Sequence, residues 1–219
     1  MDFKIIHIDE TDSTNRWLGE YRDGCFATSQ DVTREPSPCY VVVADYQTAG
    51  KGCGTNTWES ERGKNLLFSL LIHPKGITAK EQFFISEAVS VALCETLAPY
   101  IYNNKVEIKW PNDIYVGDKK ICGILIENQL QGSEIKDSII GIGLNVNQRE
   151  FKSDAPNPVS LYQLTGRETD LEELLSIFLK AFDKALQSKT TCFTYREILF
   201  RKGKDSLYKT KTTCFTARL

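Results

Sequence analysis

Tyr40-Val41-Val42-Val43-Ala44-Asp45-Tyr46-Gln47-Thr48-Ala49-Gly50-Lys51-Gly52-Cys53-Gly54-Thr55-Asn56-Thr57-Trp58 joins an apolar run to a glycine-dense loop. A short continuous run of apolar, largely β-branched residues reads as a buried strand. Gly50, Gly52 and Gly54 then let the backbone take positive φ and approach a ligand with no Cβ between. Successive N–H groups in such a loop can form a concave nest for an anion. Lys51 adds a cation, and Trp58 supplies a flat apolar surface at the end. The loop suits a phosphate-bearing small molecule, although a flexible surface connection is the plain alternative. It has neither the Gly-Lys-Ser/Thr ending of a P-loop nor the G-x-G-x-x-G spacing of a dinucleotide fold.

Upstream, residues 3 to 8 alternate towards a strand. Asp12-Ser13-Thr14-Asn15 then opens a short helical pattern through Trp17, Leu18 and Tyr21, with Ser13 or Asp12 suited to the N-cap. Residues 28 to 38, with Pro36 and Pro38, read as a polar loop. Downstream comes an apolar strand at 65–72. The longest helix is expected at 78–97, with Phe83, Phe84, Ala88, Val91, Ala92 and Leu97 on a wide apolar face. After Pro99 the pattern turns to strands: 106–109, then 114–116 paired with 121–126 across Gly117-Asp118, then 138–146. Helices are expected at 171–186 and 195–201, and short strands at 207–208 and 214–219. Strands and helices mix without strict βαβ alternation. The expected fold class is therefore α+β, a mixed, largely antiparallel sheet packed with helices.

The 219 residues fit one large domain, or a main domain with a small appendage. Apolar residues at 41% and charged residues at 26% are ordinary for a soluble globular chain. A net charge of −2 argues against nucleic acid as the main partner. No apolar run approaches the ~18–20 residues that span a bilayer, and a strand pattern at residue 3 leaves no signal peptide. Cys25, Cys39, Cys53, Cys94, Cys122, Cys192 and Cys214 are scattered without C-x-x-C spacing, as reduced thiols of a cytoplasmic protein would be. His7 and His73, the two histidines, read as structural. The basic stretch from Lys184 onwards reads as a solvated face.

Four further segments stand out. Asp12-Ser13-Thr14-Asn15 offers hydroxyls and an amide at a helix start. Lys109-Trp110-Pro111-Asn112-Asp113 packs a cation, an indole and a carboxylate around a rigid turn. Lys119-Lys120-Ile121-Cys122-Gly123-Ile124-Leu125-Ile126-Glu127 sets lysines at the mouth of a strand. Gly141-Ile142-Gly143-Leu144-Asn145-Val146-Asn147 is a glycine-opened strand ending in amides. In this order, with the Gln47 to Trp58 loop, these segments resemble biotin–protein ligases, enzymes that attach biotin to a lysine of a carrier domain through a biotinyl-adenylate. The resemblance is close over roughly residues 3 to 147 and weak beyond.

It implies a catalytic domain of the biotin/lipoate ligase, class II synthetase-like kind at 1–189, and an incomplete C-terminal SH3-like barrel segment at 190–219. It implies biotin and ATP as substrates, Mg2+ as cofactor, and a biotin carboxyl carrier protein as partner. DNA is not an expected partner, since no helix-turn-helix precedes the first strand, and a membrane is not expected either, for want of a long apolar run. The expected assembly is a monomer or weak homodimer. Lys120 and Asp113 are the implied catalytic pair, with Asp113 associated with magnesium. Ser13, Thr14, Asn15, Gln47, Gly50, Lys51, Gly52, Cys53, Lys120, Gly123 and Gly143 match biotin-binding positions. Gly50, Lys51, Trp58, Lys109, Trp110, Asn112 and Asn145 match positions around ATP or the adenylate. Gly141 is a third glycine that lets a strand approach the ligand. A lipoate or octanoate ligase-like enzyme, or a biotin-binding protein without turnover, are the alternatives.

One departure is notable. Relatives often read G-R-G-R-x-G-R through the loop, whereas Lys51, Cys53 and Asn56 occupy the arginine positions here. One cation remains where three are usual, so backbone amides are expected to do more of the holding.

Overall fold

The computed structural model describes residues 1–28, 38–153, 155–188, 190–209 and 212–218. In chain order these form β1 (Phe3–Thr11), α1 (Thr14–Thr28), β2 (Cys39–Gln47), β3 (Leu66–Ile72), α2 (Phe83–Leu97), β4 (Val106–Lys109) and β5 (Asp113–Val116). There follow β6 (Lys119–Gln131), β7 (Glu134–Leu144), α3 (Leu161–Thr165), α4 (Leu171–Gln187), α5 (Thr191–Glu197), β8 (Asp205–Lys209) and β9 (Cys214–Arg218). Seven strands make one sheet in the order β1-β2-β3-β7-β6-β5-β4. β1 and β2 run parallel, and the other neighbouring pairs run antiparallel. The mixed, largely antiparallel α+β architecture is the one the sequence leads to. Tight turns make this possible: Gly117 at φ 58° closes β5 onto β6, and Gly132 at φ 65° closes β6 onto β7.

The period of two in β3 divides the molecule. Leu66, Phe68, Leu70 and Ile72 join Val41 and Val43 in the large core under α2 and α4. There Phe68 meets Phe178 edge-on at 5.4 Å between ring centroids, and Phe178 stacks on Phe182 at 5.8 Å. α4 fits because Leu174, Leu175, Phe178, Leu179, Phe182 and Ala185 fall on one side at helical spacing. Its Asp170 cap accepts from the Glu172 and Glu173 N–H groups at 2.8 and 3.0 Å. On the opposite face Val42, Leu71 and Ile139 pack against Leu18 of α1. That second face carries Gly141 and Gly143 on β7, with Gly123 of β6 paired across from Gly143.

Several boundaries differ from expectation. α1 runs on to Thr28 rather than stopping near Tyr21, and its Thr14 N–H is taken by Gln47 Oε1 at 2.7 Å, not by Ser13 or Asp12. The longest helix is α4 with 17 residues, because a 3-10 turn at Ala79–Glu81 splits the 78–97 pattern. α5 begins before 195 and stops before Arg201, whose φ of 58° no helix accommodates. α3, a single five-residue turn with a Ser160–Gln163 capping box, is too short to show a period. Residues 29–37 of the polar stretch at 28–38 lie outside the described residues. The helical run Ala79–Tyr100 is long and apolar enough to cross a bilayer by length and composition, contrary to the sequence reading. Its apolar window is 61% buried inside the fold, however, as befits a core helix.

Phe178→Ala should cost about 3–5 kcal/mol, since the lost ring leaves a cavity between Phe68 and Phe182 that a sheet and two helices cannot collapse into. Urea unfolding of the two proteins measures this, and a loss under ~1 kcal/mol would contradict the core described.

Candidate active site

A cleft opens over the glycine-bearing part of the second face. One wall is the start of α1, where Ser13, Thr14 and Asn15 are each at least 95% buried. Gln47 at the end of β2 sits beside them, and its Oε1 accepts from both the Thr14 N–H at 2.7 Å and the Thr14 hydroxyl at 3.1 Å. Asn15 reaches across to β6, donating to the Leu125 carbonyl at 3.3 Å and to Glu127 Oε2 at 2.7 Å. From β3, Ser69 Oγ lies 2.6 Å from Asn15 Oδ1 and 2.7 Å from Thr14 Oγ1. The groups that line this end of the cleft are neutral hydrogen-bonding ones, with the Glu127 carboxylate behind Asn15 and off the cleft wall.

The floor is backbone. A Cβ on Gly141 would lie 2.2 Å from Asn15 Oδ1, and one on Gly143 would lie 2.4 Å from Trp58 Cε2. Both are far inside contact distance, so these two positions exclude every other residue while Asn15 and Trp58 stay in place. Gly123 is similarly covered by Trp58, at 2.9 Å from Cζ3.

The roof is the glycine loop. It doubles back on itself, with Gly52 N–H to the Asn56 carbonyl at 2.8 Å and Trp58 N–H to the Gly50 carbonyl at 2.8 Å. Gly50 is buried at this crossing, where a Cβ would meet the Trp58 carbonyl oxygen at 2.7 Å. Lys51, Gly52, Cys53 and Trp58 line the cleft. The Trp58 indole N–H is buried and has no hydrogen-bond partner among the described residues, a donor that a ligand oxygen could satisfy.

The second end is charged. Lys120 Nζ lies 2.6 Å from Asp113 Oδ1 and 5.5 Å from the centroid of the Trp58 ring. Asn112 holds the turn below, donating from Nδ2 to the Ile124 carbonyl at 2.8 Å and accepting the Ile124 N–H at 3.0 Å. Burial pushes the neighbouring Cys122 thiol well above its ordinary range, so it stays protonated and is no nucleophile. Among the described residues no three His, Cys, Asp or Glu side chains gather into a metal site. A single carboxylate at a cleft is nonetheless how Mg2+ is commonly held when substrate phosphates and water complete its shell.

Ser13, Thr14, Asn15, Gln47, Lys51, Gly52, Cys53, Trp58, Asn112, Asp113, Lys120, Gly123 and Gly143 thus converge on one cleft. Gly50, buried at the loop crossing, and Lys109, Trp110 and Asn145 do not line it. The Lys109 ammonium donates to Tyr115 Oη at 2.9 Å, Trp110 is 63% exposed, and Asn145 is buried with Nδ2 on the Val159 carbonyl at 3.2 Å. The sequence reading missed Ser69 and gave Glu127, the last residue of the Lys119 segment, no role; both hold Asn15. Ser69 did leave a trace, a lone hydroxyl in the apolar run 66–72. Glu59 was missed too. Its carboxylate accepts the N–H groups of Lys152 and Ser153 at 2.8 and 2.7 Å, pinning the residue after Trp58 to a distant segment.

With fold and cleft in place, the chain belongs to the Biotin/lipoate A/B protein ligase family, whose model matches residues 9–145. Among its relatives, the bifunctional ligase/repressor BirA of Bacillus spizizenii is 35% identical over 157 residues, covering 69% of this chain and 47% of that protein. The biotin–[acetyl-CoA-carboxylase] ligase of Paracoccus denitrificans is 31% identical over 148 residues, or 64% of this chain and 60% of that one. The chain therefore spans about half the length of the BirA relative. Among solved structures, the biotin protein ligase from Aquifex aeolicus in complex with biotin and ATP superposes with a TM-score of 0.74 at 27% identity, over 99% of this chain and 86% of that chain.

Glu59→Ala should loosen the roof without unfolding the sheet, seen as faster tryptic cleavage after the exposed Lys51. Partial burial alone would raise the Glu59 pKa, but the hydrogen bonds from Ser153 and Lys152 outweigh it and hold the carboxyl below its usual range. The stabilisation is thus complete above the ordinary carboxylate range and is lost as the pH falls through the lowered value. Thermal melts of wild type and Glu59→Ala should differ at neutral pH and converge in acid.

Proposed function

We propose that the chain activates biotin with ATP to biotinyl-5′-AMP and then transfers the biotinyl group to a lysine of a biotin carboxyl carrier protein. The observation that carries this reading is the pairing, in one glycine-floored cleft, of a neutral polar end with the Lys120–Asp113 charge pair. The ureido ring of biotin suits the neutral end, where hydroxyl and amide groups satisfy its polar edge inside an otherwise apolar pocket. The carboxylate suits the neighbourhood of Lys120. The likeness to a ligase holding biotin and ATP supports the same assignment.

In the first step a biotin carboxylate oxygen attacks the α-phosphorus of ATP, a P–O bond forms, and the bond to the β-phosphate breaks to release pyrophosphate. Two anions must approach one another, so the main task of the protein is charge compensation and alignment. Lys120 supplies the cation, and Asp113 and the Trp58 ring hold its ammonium in place. Asp113 is also the residue that would hold Mg2+, which when bound supplies further charge neutralisation at the phosphates. The folded loop from Gly50 to Trp58 excludes water from the mixed anhydride. In the second step a neutral carrier lysine attacks the anhydride carbonyl, the bond to phosphate breaks, and AMP leaves.

Of the residues matched to the adenylate beyond the loop, Asn112 lines the cleft and belongs to the adenylate side in this proposal, while Lys109, Trp110 and Asn145 stand off the cleft wall. A catalytic part at 1–189 and a β segment at 190–219 are proposed as its organisation, supported by β8 and β9 pairing with each other as a separate two-stranded sheet. Action in the cytoplasm, as a monomer or weak homodimer without DNA or membrane, completes it.

Biotin-dependent exchange of labelled pyrophosphate into ATP tests the reading. Exchange with biotin supports it, exchange with lipoate alone would point to a lipoate ligase, and biotin binding without exchange to a binding protein. Lys120→Ala should lower the exchange rate by roughly a hundredfold or more with the fold intact by circular dichroism. Residual exchange near the wild-type rate would remove the role given to Lys120. Cys53→Arg should slow release of biotinyl-5′-AMP by about tenfold if one more loop cation gains one charge-assisted hydrogen bond.

A further inference from the structure

Ser69 is wholly buried and does not line the cleft, yet two cleft residues meet on it. A hydroxyl has one proton to give and two lone pairs to accept with. The direction of the Ser69 proton therefore sets the direction of the hydrogen bonds around it.

Asn15 decides that direction. Its Nδ2 faces two groups that only accept, Glu127 Oε2 at 2.7 Å and the Leu125 carbonyl at 3.3 Å. Both amide protons are spoken for, and Oδ1 is turned to Ser69 at 2.6 Å. Oδ1 carries no proton, so Ser69 must donate to it. At the 2.7 Å contact with Thr14 Oγ1, Ser69 is then left to accept. The other polar atom near the Thr14 hydroxyl, Gln47 Oε1 at 3.1 Å, also accepts. Ser69 is the nearer partner, and Gln47 Oε1 already takes the Thr14 N–H at 2.7 Å, so it is Ser69 that keeps the Thr14 proton turned into the protein. Towards the cleft this hydroxyl presents lone pairs alone. Gln47, with Oε1 turned to Thr14, keeps Nε2 on the side of Gly50 as a donor.

We propose that Ser69 is a specificity-determining positioning residue: by fixing the Thr14 hydroxyl as an acceptor, it selects ligands that bring an N–H to this end of the cleft. An acceptor beside a donor matches a ring edge with N–H next to C=O, such as a cyclic urea, and disfavours a cyclic ester or carbonate edge. The proposal rests on the reading of the cleft as a biotin site and names the atoms through which the ring is chosen.

Titration calorimetry with biotin and with its cyclic carbamate analogues, in each of which a ring oxygen replaces one ureido N–H, tests it. Wild type should prefer biotin over at least one carbamate by roughly tenfold, the effect of about one hydrogen bond. Ser69→Ala lets the Thr14 hydroxyl rotate, so that ratio should fall to within about twofold of unity, whereas Thr14→Ser, which keeps the hydroxyl, should preserve it. The ratio is internal to each protein, so a general loss of folded protein would weaken both ligands alike and leave it unmoved. A Ser69→Ala protein that keeps the wild-type ratio overturns the role of Ser69 alone. A wild-type protein that binds no biotin overturns it together with the ligase reading.

Discussion

A Cβ on Gly141 would collide with Asn15 at 2.2 Å, and one on Gly143 with Trp58 at 2.4 Å, so β7 has to run bare beneath the cleft. The rest of the site follows from that bareness. α1 can drop Asn15 onto the sheet only because nothing stands on Gly141. The loop can lay Trp58 flat only because Gly143 and Gly123 face each other across the β6–β7 ladder. Strand pairing normally stabilises through side-chain neighbours on each face, and here one face gives that up over two strands. The opposite face makes up for it, with β3, α2 and α4 packed into the large core.

The cleft divides its labour by charge. The neutral end is lined by interlocking amides and hydroxyls, backed by the Glu127 carboxylate, whose donors and acceptors match, which is what permits polar groups to be so thoroughly buried. The charged end depends on Lys120 and Asp113, partly exposed and close enough to compensate one another. Between them the loop closes from above, fixed at its outer end by Glu59 and at its inner end by the Gly50–Trp58 crossing.

Local pattern made most of this legible. The apolar runs of β2 and β3 and the turn at Gly117 state their structure in a few residues, and the five motifs give the cleft its membership in order. Contacts between distant segments were not legible. The Thr14 N–H finds Gln47, 33 positions away, and Glu59 finds Lys152 and Ser153, more than 90 positions away. No spacing rule connects such pairs. Lys109, Trp110 and Asn145 show the converse, since sharing a motif with a cleft residue does not put a side chain on the cleft wall. The end of α1 and the start of α5 were misjudged because tertiary packing, not local propensity, sets where a short helix stops.

β3 serves two masters in alternate residues: Phe68 belongs to the core, and Ser69 holds the cleft residues Thr14 and Asn15. Slipping the strand by one position would exchange them, so stability and ligand choice cannot drift apart there. The glycine floor is equally closed to change, because any added atom strikes Asn15 or Trp58. Room for variation lies in the roof, where Cys53 and Asn56 are exposed and touch no part of the sheet's register. Evolution, or an engineer seeking a new ligand, would have to work from above.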